Sequence, residues 1–225
     1  MRAARMYLPD YPHIDWSTSM TLSRTEISDG LIDELHTFEG LIRPLSQAEL
    51  DSPSRCAGWT VGDVARHVIG TMADVTAGHL DGLGSPETTA REVAERAGRT
   101  SAELADECAT VTMAATGLLQ VFDDNSWSAQ ARAGYDGTIG EGVEALWYDT
   151  WLHGDDIRNA LGRTSVPGDA MGCALEHVEA ALRKLDWNGD VPSPDDANAF
   201  AFVLAATGRG GEASFGPNAP IDIYA

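Results

Sequence analysis

The sequence predicts an all-α protein, a four-helix bundle followed by a short, mainly helical C-terminal extension. Apolar residues recur at helical spacing in four long segments, and helix-capping residues precede most of these segments. Alternation with a period of two is nearly absent, and only residues 221–224 resemble a strand. Connections rich in Gly, Asp and Pro are compatible with a bundle. We expect the bundle to span residues 22–164 and the extension 165–225, with residues 1–21 forming an extended arm.

The first two long helices are predicted from apolar spacing and, for the second, from its capping residues. The first helix ends near Pro44, and Ser46 with Glu49 has the spacing of a capping box that opens a short turn of helix. Thr60 and Asp63 form the same pattern with Asp in place of Glu. The apolar positions are Ile27, Leu31, Leu35, Phe38, Ile42 and Leu45 in the first helix and Val61, Val64, Val68, Met72 and Val75 in the second.

Three further helix starts follow along the chain. Thr100 with Glu103 predicts the start of the third long helix, and Thr138 with Glu141 predicts the start of the fourth. In the extension, residues 193–196 combine a serine N-cap, a proline at the first helical position and two acidic residues. Each of these features is favourable at a helix N-terminus, so we predict that a helix begins there.

The charge balance excludes two classes of partner. The sequence has 35 acidic and 15 basic residues, a formal net charge of −20, with acids along its whole length. It contains no cluster of Lys or Arg, and its first lysine is Lys184. A protein of this charge repels phosphate backbones and anionic lipid headgroups. We therefore predict that it binds neither nucleic acid nor membranes.

The cysteines and the hydropathy predict a cytoplasmic protein. Cys56, Cys108 and Cys173 are odd in number and far apart, which argues against a disulfide framework and fits a reducing compartment. The sequence contains no run of 18 apolar residues, and its N-terminus lacks the apolar segment of a signal peptide. We expect a soluble monomer or homodimer.

Asp149 and His153 are the most informative pair of residues. They lie four residues apart in the fourth predicted helix and therefore project from the same face. His153 falls on the apolar stripe of that helix, and Asp149 lies beside it. Burying a carboxylate and an imidazole is costly unless they are paired or bind a ligand. A metal ion would compensate this cost, and its third ligand would have to come from another helix.

His67 is the candidate for that third ligand, at the edge of the apolar stripe of the second predicted helix. A single histidine at such a position is more often a hydrogen-bonded core residue than a ligand. Two histidines and one carboxylate are a typical ligand set for catalytic zinc, and they leave one coordination position open. The same set also suits iron(II), and first-row affinities alone do not decide between the metals.

Three segments carry a resemblance to a known family. SRCAGWTVGDVARHV at residues 54–68 contains a Trp-Thr-x-x-Asp segment that leads into His67. ALWYDTWLHGDDIRNALG at 145–162 contains an acid and a histidine four apart, followed by Asp-Ile-Arg-x-Ala-Leu-Gly. With AFAFVLAATGR at 199–209, they resemble the DinB-like metalloenzyme superfamily over about residues 22–210. Within that superfamily, they are similar to the branch that contains the mycothiol-dependent maleylpyruvate isomerase N-terminal domain.

The resemblance implies a DinB-like four-helix bundle in which His67, Asp149 and His153 are the metal ligands. It also implies a divalent metal, with zinc favoured over nickel or iron, and mycothiol as a cosubstrate. The family commonly has glutamate at the position of Asp149, so the shorter side chain must place the metal nearer its helix. The isomerase also carries a C-terminal α/β domain, for which residues 165–225 are too short and too helical.

The implied activity is that of a thiol-dependent S-transferase or isomerase that acts on a small electrophilic metabolite. The nucleophile would be a metal-bound thiolate, because coordination to a divalent metal deprotonates a thiol. Two alternatives stay open: a hydrolase or lyase that uses metal-bound water, and a bundle that binds a metal or a small ligand without catalysis. Dependence of turnover on thiol separates the two enzymatic hypotheses. A purely structural role would predict no metal at all.

Four further residues are candidates for the wall of a thiol or substrate pocket: Asp74, Trp147, Trp151 and Arg158. Asp74 follows the histidine of the second helix by two turns. Trp147 and Trp151 lie four apart, a spacing more typical of core packing than of a pocket wall. For Arg158, a salt bridge with Asp155 is favoured over contact with an acidic substrate.

Two acidic residues each lie about one turn from a predicted histidine ligand and could hydrogen-bond to it. They are Asp63 and Asp156, and for Asp63 we favour the role of helix cap. Cys56 precedes a helix N-terminus, and its only basic neighbour is Arg55. We therefore predict a structural role for this cysteine.

Overall fold

The computed structural model describes residues 22–131, 137–210 and 212–224 of the chain, so the arm predicted at residues 1–21 lies outside the described residues. The described ranges contain α-helices, two short 3-10 helices and two isolated β-bridges, and they contain no strand. The all-α prediction is therefore confirmed. Within this part of the chain, no helix is both long and apolar enough to cross a lipid bilayer.

The α-helices are numbered α1 to α9 in chain order. They are α1 (Arg24–Ile42), α2 (Gln47–Leu50), α3 (Val61–Ala77), α4 (Pro86–Glu95), α5 (Ser101–Val121), α6 (Asp124–Trp127), α7 (Ile139–Ala160), α8 (Ala170–Lys184) and α9 (Ala199–Ala206). The two 3-10 helices are Glu212–Ser214 and Gly216–Asn218.

Helices α1, α3, α5 and α7 form the predicted four-helix bundle. Helix α1 packs against α5 and α7, and α3 packs against the same two helices. Their facing residues form an apolar core that runs from Phe38 on α1 to Ile157 on α7. Helix α4 packs on the outside of α3. Because α3 and α7 are neighbours, side chains from these two helices can meet inside the bundle.

Capping boxes start all four bundle helices and the short helix α2. The boxes predicted at α2, α3, α5 and α7 are thereby confirmed. At α3, the hydroxyl of Thr60 accepts from the N–H of Asp63, and the carboxylate of Asp63 accepts from the N–H of Thr60. Asp63 therefore acts as a helix cap, as its spacing predicts.

Apolar periodicity in the sequence does not predict helix α4. Its buried residues are Thr89 and Glu92, so it presents no apolar stripe to the bundle. Its start carries clear local signals, because Ser85 caps the helix and Pro86 occupies the first turn. Contacts between polar and charged side chains hold it on the bundle, and one of these contacts reaches the candidate site.

The chain divides into two compact units, one ending at Ser165 and the other beginning at Val166. In the second unit, α8 packs against α9, and Trp187 and Phe215 pack around Phe202. The indole N–H of Trp187 donates to the carbonyl of Ala219 at 3.2 Å.

Two predictions for the second unit are wrong. No helix begins at Ser193, because the Asp196 carboxylate accepts from the Ser193 N–H and the Asp196 N–H donates to the Ser193 carbonyl. These bonds close a turn, and the helix begins only at Ala199. Residues 221–224 form no strand, because the N–H of Tyr224 donates to the side chain of Asp222.

Gly30 on α1 provides a test of how the bundle packs. A Cβ at Gly30 would lie 2.4 Å from the ring of Trp147, which is 4% exposed. We predict that Gly30→Ala lowers the free energy of unfolding by about 1–3 kcal/mol, because neither the backbone nor the buried indole can move freely. Denaturant unfolding followed by circular dichroism measures this change.

Gly40 on the same helix is the matched control. A Cβ there would meet nothing within 4 Å, so we expect Gly40→Ala to raise the free energy of unfolding by up to about 1 kcal/mol. Equal effects of the two substitutions would contradict the packing of Trp147 over Gly30.

Candidate metal centre

The three predicted metal ligands converge between α3 and α7. Nε2 of His67 lies 3.9 Å from Oδ2 of Asp149, and Nε2 of His153 lies 3.4 Å from Oδ1 of the same carboxylate. One donor atom from each residue lies within 4.8 Å of the other two. The two imidazole rings meet edge to face, with centroids 5.3 Å apart. This arrangement places two imidazole nitrogens and a carboxylate around one point.

A buried carboxylate accepts from the other nitrogen of each histidine. Nδ1 of His67 lies 2.9 Å from Oε2 of Glu92 on α4, and Nδ1 of His153 lies 2.9 Å from Oδ2 of Asp156. Such bonds favour a proton on Nδ1 and leave Nε2 free as a lone-pair donor towards Asp149. Carboxylates that hydrogen-bond to the far nitrogen are typical of metal-binding histidines.

The carboxylate behind His153 is neutralised by an arginine. Arg55 donates from Nε to Asp156 at 2.5 Å and from Nη2 to Asp155 at 2.6 Å. Both carboxylates are buried, and the guanidinium is 15% exposed. The planar fork of Arg55 can bind two adjacent carboxylates at once. This pairing anchors the segment between α2 and α3 to helix α7.

The carboxylate behind His67 has no such partner. Glu92 is 1% exposed, and its Oε1 forms no hydrogen bond with any residue that the structure describes. The nearby Arg96 donates instead to the main-chain carbonyl of Glu92 and to the carboxylate of Glu107. Among the described residues, the donors to its carboxylate are the His67 ring and the hydroxyl of Thr71, so a positive charge on or beside that ring would stabilise Glu92.

The surroundings of His67 favour positive charge. Burial on its own lowers the pKa of His67, but the hydrogen bond to Glu92 and the charges of Asp149 and Glu92 outweigh it and raise that pKa above the ordinary value. Without a cation, the ring therefore retains its proton to a higher pH than an exposed histidine. A metal ion bound at Nε2 would supply positive charge next to the same two carboxylates.

A second set of three donors shares His153. Sγ of Cys56, Nδ1 of His153 and Oδ2 of Asp156 also lie within 4.8 Å of one another. The thiol lies 3.0 Å from Asp156 and donates to it, and Arg55 already holds the other oxygen of that carboxylate. A cation there would displace the Nδ1 proton and face a guanidinium, so the set around Asp149 is the better site. Cys56 thus supports Asp156, in line with the structural role that the sequence predicts.

The site is open on the side of Asp149. The side chain of Asp149 is 32% exposed, whereas those of His67 and His153 are 7% and 1% exposed. Trp59 covers the two imidazoles, with its ring centroid 5.2 Å from that of His67 and 6.4 Å from that of His153. A ligand can therefore approach past Asp149 and the edge of Trp59.

The pocket candidates make contacts of other kinds. Asp74 is buried and forms an ion pair with Arg91 of α4. Trp147 packs over Gly30, and Trp151 is 1% exposed. The assignment of these three residues to a pocket wall stays a prediction.

The predicted salt bridge between Arg158 and Asp155 is wrong. Asp155 pairs with Arg55, because the fork of that arginine binds Asp155 and Asp156 together. Arg158 lies instead towards Glu34 of α1.

Three residues of the site were missed as functional candidates. Glu92 lies 25 positions from His67 on a helix without an apolar stripe, so no local pattern marks it. Arg55 and Trp59 lie in the SRCAGWT segment, which has no helical or strand periodicity from which their contacts with α7 could be predicted. The segment carries part of the resemblance to the family, but its sequence alone does not reveal which side chains contact α7.

A model of a known protein family matches most of the bundle. The family model described as the mycothiol maleylpyruvate isomerase N-terminal domain matches residues 31–158, more than half of the sequence. This range includes all three converging ligands. No curated protein matches the chain. The resemblance of the two sequence motifs to that branch of the DinB-like superfamily is confirmed.

Two solved structures share the fold. The chain is similar to the crystal structure of the mycothiol-dependent maleylpyruvate isomerase, with a TM-score of 0.63 and 17% sequence identity. The match covers 89% of this chain and 97% of that chain. A histidine-to-alanine mutant of the same isomerase matches equally. Because the match covers nearly all of that chain, it reaches into residues 165–225, and the DinB-like helical fold is shared.

The carboxylates behind the histidines yield a prediction about metal affinity. We expect Glu92→Gln and Asp156→Asn each to weaken zinc binding by about 10- to 100-fold, because each removes the anion that orients an imidazole and makes it a stronger donor. Competition with a chromophoric chelator measures the dissociation constant.

Glu87→Gln on the exposed first turn of α4 is the control and should leave zinc binding unchanged. Unchanged affinity in both Glu92→Gln and Asp156→Asn would mean that these carboxylates serve only the fold.

Proposed function

Because the chain belongs to the mycothiol maleylpyruvate isomerase N-terminal domain family, we propose that it is a metal-dependent enzyme that uses mycothiol. Its reaction is S-transfer to, or isomerisation of, a small electrophilic metabolite. One observation carries this proposal: the Nε2 atoms of His67 and His153 converge on the Asp149 carboxylate while buried carboxylates hold both Nδ1 atoms.

The residues of the site fit a divalent cation. Two neutral imidazoles and one carboxylate are the ligand set of many catalytic zinc sites, and nickel or iron(II) also accepts it. The uncompensated charge of Glu92 favours a cation at this position. Asp149 takes the place that glutamate commonly has in the family, and its carboxylate already lies within 4 Å of both Nε2 atoms. The shorter side chain is therefore compatible with a ligand role.

A bound divalent cation would supply the positive charge that keeps the thiol of mycothiol deprotonated at neutral pH. The protein residues provide the rest. Glu92 and Asp156 hold the Nδ1 protons, so that both Nε2 atoms stay directed at the site. Trp59 shields the imidazoles from water, and the exposed edge of Asp149 leaves an approach for thiol and substrate.

A thiolate nucleophile accounts for both reaction types. Its sulfur adds to a carbon of a conjugated carbon–carbon double bond, and the π electrons move onto the carbonyl group. Isomerisation follows by rotation about the new single bond and elimination, in which the carbon–sulfur bond breaks, the double bond re-forms and the thiolate is returned. In S-transfer, protonation of the adduct ends the reaction. Maleylpyruvate, the substrate named for the solved relative, is the first electrophile to test.

The first test measures metal content. We predict that purified protein contains stoichiometric zinc or nickel, and that His67→Ala and His153→Ala each lose it, because a set of two remaining ligands binds weakly. His36→Ala on the exposed side of α1 is the control and should retain the metal. Elemental analysis of protein dialysed against a weak chelator gives the result. Protein that is free of metal and remains stable in chelator would exclude the metal centre.

The second test measures thiol dependence. We predict that turnover of maleylpyruvate or another activated alkene requires mycothiol and falls by at least about 100-fold in His153→Ala, because positioning and activation of the nucleophile are lost together. The product is followed by absorbance and mass spectrometry. Turnover without thiol would favour the hydrolase or lyase hypothesis, and bound metal without turnover would favour a non-catalytic binding protein.

A further inference from the structure

Helix α5 has an uncharged face that is exposed to solvent. Residues 108–122 cover most of this helix and are the longest stretch of the sequence without an acidic residue, a basic residue or a histidine. One side of the stretch lies in the bundle core, and the opposite side is exposed. The exposed positions are Thr110, Met113, Ala114, Gly117, Gln120 and Val121. A helix with no charge on either side is typical of a position that is covered on both sides.

The exposed face of α5 carries two large apolar side chains. Met113 is 69% exposed and Val121 is 72% exposed. The other exposed large apolar residues of the described ranges, Val166, Leu185 and Ile221, all belong to the second unit. Exposed apolar residues that share one surface indicate a contact with another protein more strongly than scattered ones do. This face of α5 is therefore the candidate contact surface of the bundle.

Gly117 lies midway between the two apolar residues, about one turn from each. A Cβ at Gly117 would meet nothing within 4 Å, so the packing of a single chain does not require glycine there. Glycine is also a poorer helix former than alanine. Met113, Gly117 and Val121 thus form a ridge that has its lowest point at the centre, where a second helix can approach closely.

We propose that two copies of the chain associate through the exposed faces of α5, with the two helices antiparallel and crossing at Gly117. A two-fold axis through this crossing places Met113 of each copy against Val121 of the other, because both lie four residues from the centre. Side chains four residues apart form the ridges that interdigitate in the commonest class of helix pairs. The face is therefore complementary to itself, as a contact between identical surfaces requires.

The charge of the chain also favours a second copy at this face. Each copy has a formal net charge of −20, so two copies repel one another wherever their acidic surfaces would meet. The stretch between Glu107 and Asp123 brings no charge to the contact. A basic partner would instead bind the acidic surfaces, because this face offers it no ion pair. The proposed metal ligands lie on α3 and α7, so the association does not depend on the proposed enzymatic function.

Sedimentation velocity over a range of protein concentrations tests the association. We expect a dimer with a dissociation constant in about the micromolar range, because a single pair of helices buries a small area. Raising the sodium chloride concentration from about 50 mM to about 500 mM should tighten the dimer, because salt screens the repulsion between two acidic chains. A dimer that weakens with salt would be held by ion pairs and would overturn the proposal.

Two substitutions test the surface. Met113→Glu should weaken the dimer by about 10-fold or more, because it places a carboxylate in the apolar contact of each copy. Val166→Glu, at an exposed apolar residue of the second unit, is the control and should leave the dimer unchanged. Gly117→Ala should stabilise the monomer against denaturant and yet weaken the dimer, because the added methyl groups meet at the crossing point. A folding defect would not produce this combination.

Cross-linking tests the orientation of the two helices. Gly117→Cys should form a disulfide-linked dimer under mild oxidation, because the two-fold axis brings the two thiols together. Thr110→Cys is the control, since seven residues from the crossing point separate its two copies by about 21 Å along antiparallel helices, beyond the reach of a disulfide. The unaltered chain measures any background from its own cysteines. Equal cross-linking at both positions would indicate parallel helices and overturn the arrangement. Protein that stays monomeric up to about 100 μM, or a dimer that Met113→Glu does not weaken, would overturn the proposal itself.

Discussion

The hydrogen bonds from the two histidines to buried carboxylates determine how the site and its surroundings are built. Glu92 and Asp156 are 1% and 0% exposed, and each accepts from the Nδ1 atom of an imidazole. A buried carboxylate is stable only if donors and positive charge surround it. The site meets this demand in two ways: Arg55 neutralises the carboxylate behind His153, and the carboxylate behind His67 accepts from that ring and from the hydroxyl of Thr71.

Polar contacts of these groups help to hold two parts of the chain that lie outside the four bundle helices. Helix α4 has no apolar stripe, yet it is held in place because Glu92 binds His67 and Arg91 binds Asp74 on α3. The segment between α2 and α3 has no regular structure, yet Arg55 fixes it to α7. Both attachments are polar and converge on the same pair of histidines. A bound metal would therefore order these parts of the protein together with its ligands.

The sequence predicts the bundle well because its signals are local. Apolar spacing and capping boxes lie within one or two turns, and the boxes at Thr60 and Thr138 begin helices as their spacing indicates. The pairing of His67 with Glu92 cannot be predicted in this way, because it joins residues 25 positions apart on different helices. The same limit explains Asp155, whose tertiary partner Arg55 replaces the local partner that helical spacing favours. The failure at Ser193 is local instead, because the same N-cap residues also favour the turn that the bonds between Ser193 and Asp196 close.

Helix α7 separates two environments of opposite charge. Towards α3 it presents Asp149, and the carboxylates of Glu92 and Asp156 lie behind the imidazoles, so that face attracts cations. Towards α1 it presents Arg158, whose positive charge lowers the pKa of Glu34 against the larger, opposite effect of burial. Because Arg158 lies on the face towards α1, it does not compete with the histidines for Glu92 or Asp156, the carboxylates that hold the two imidazoles.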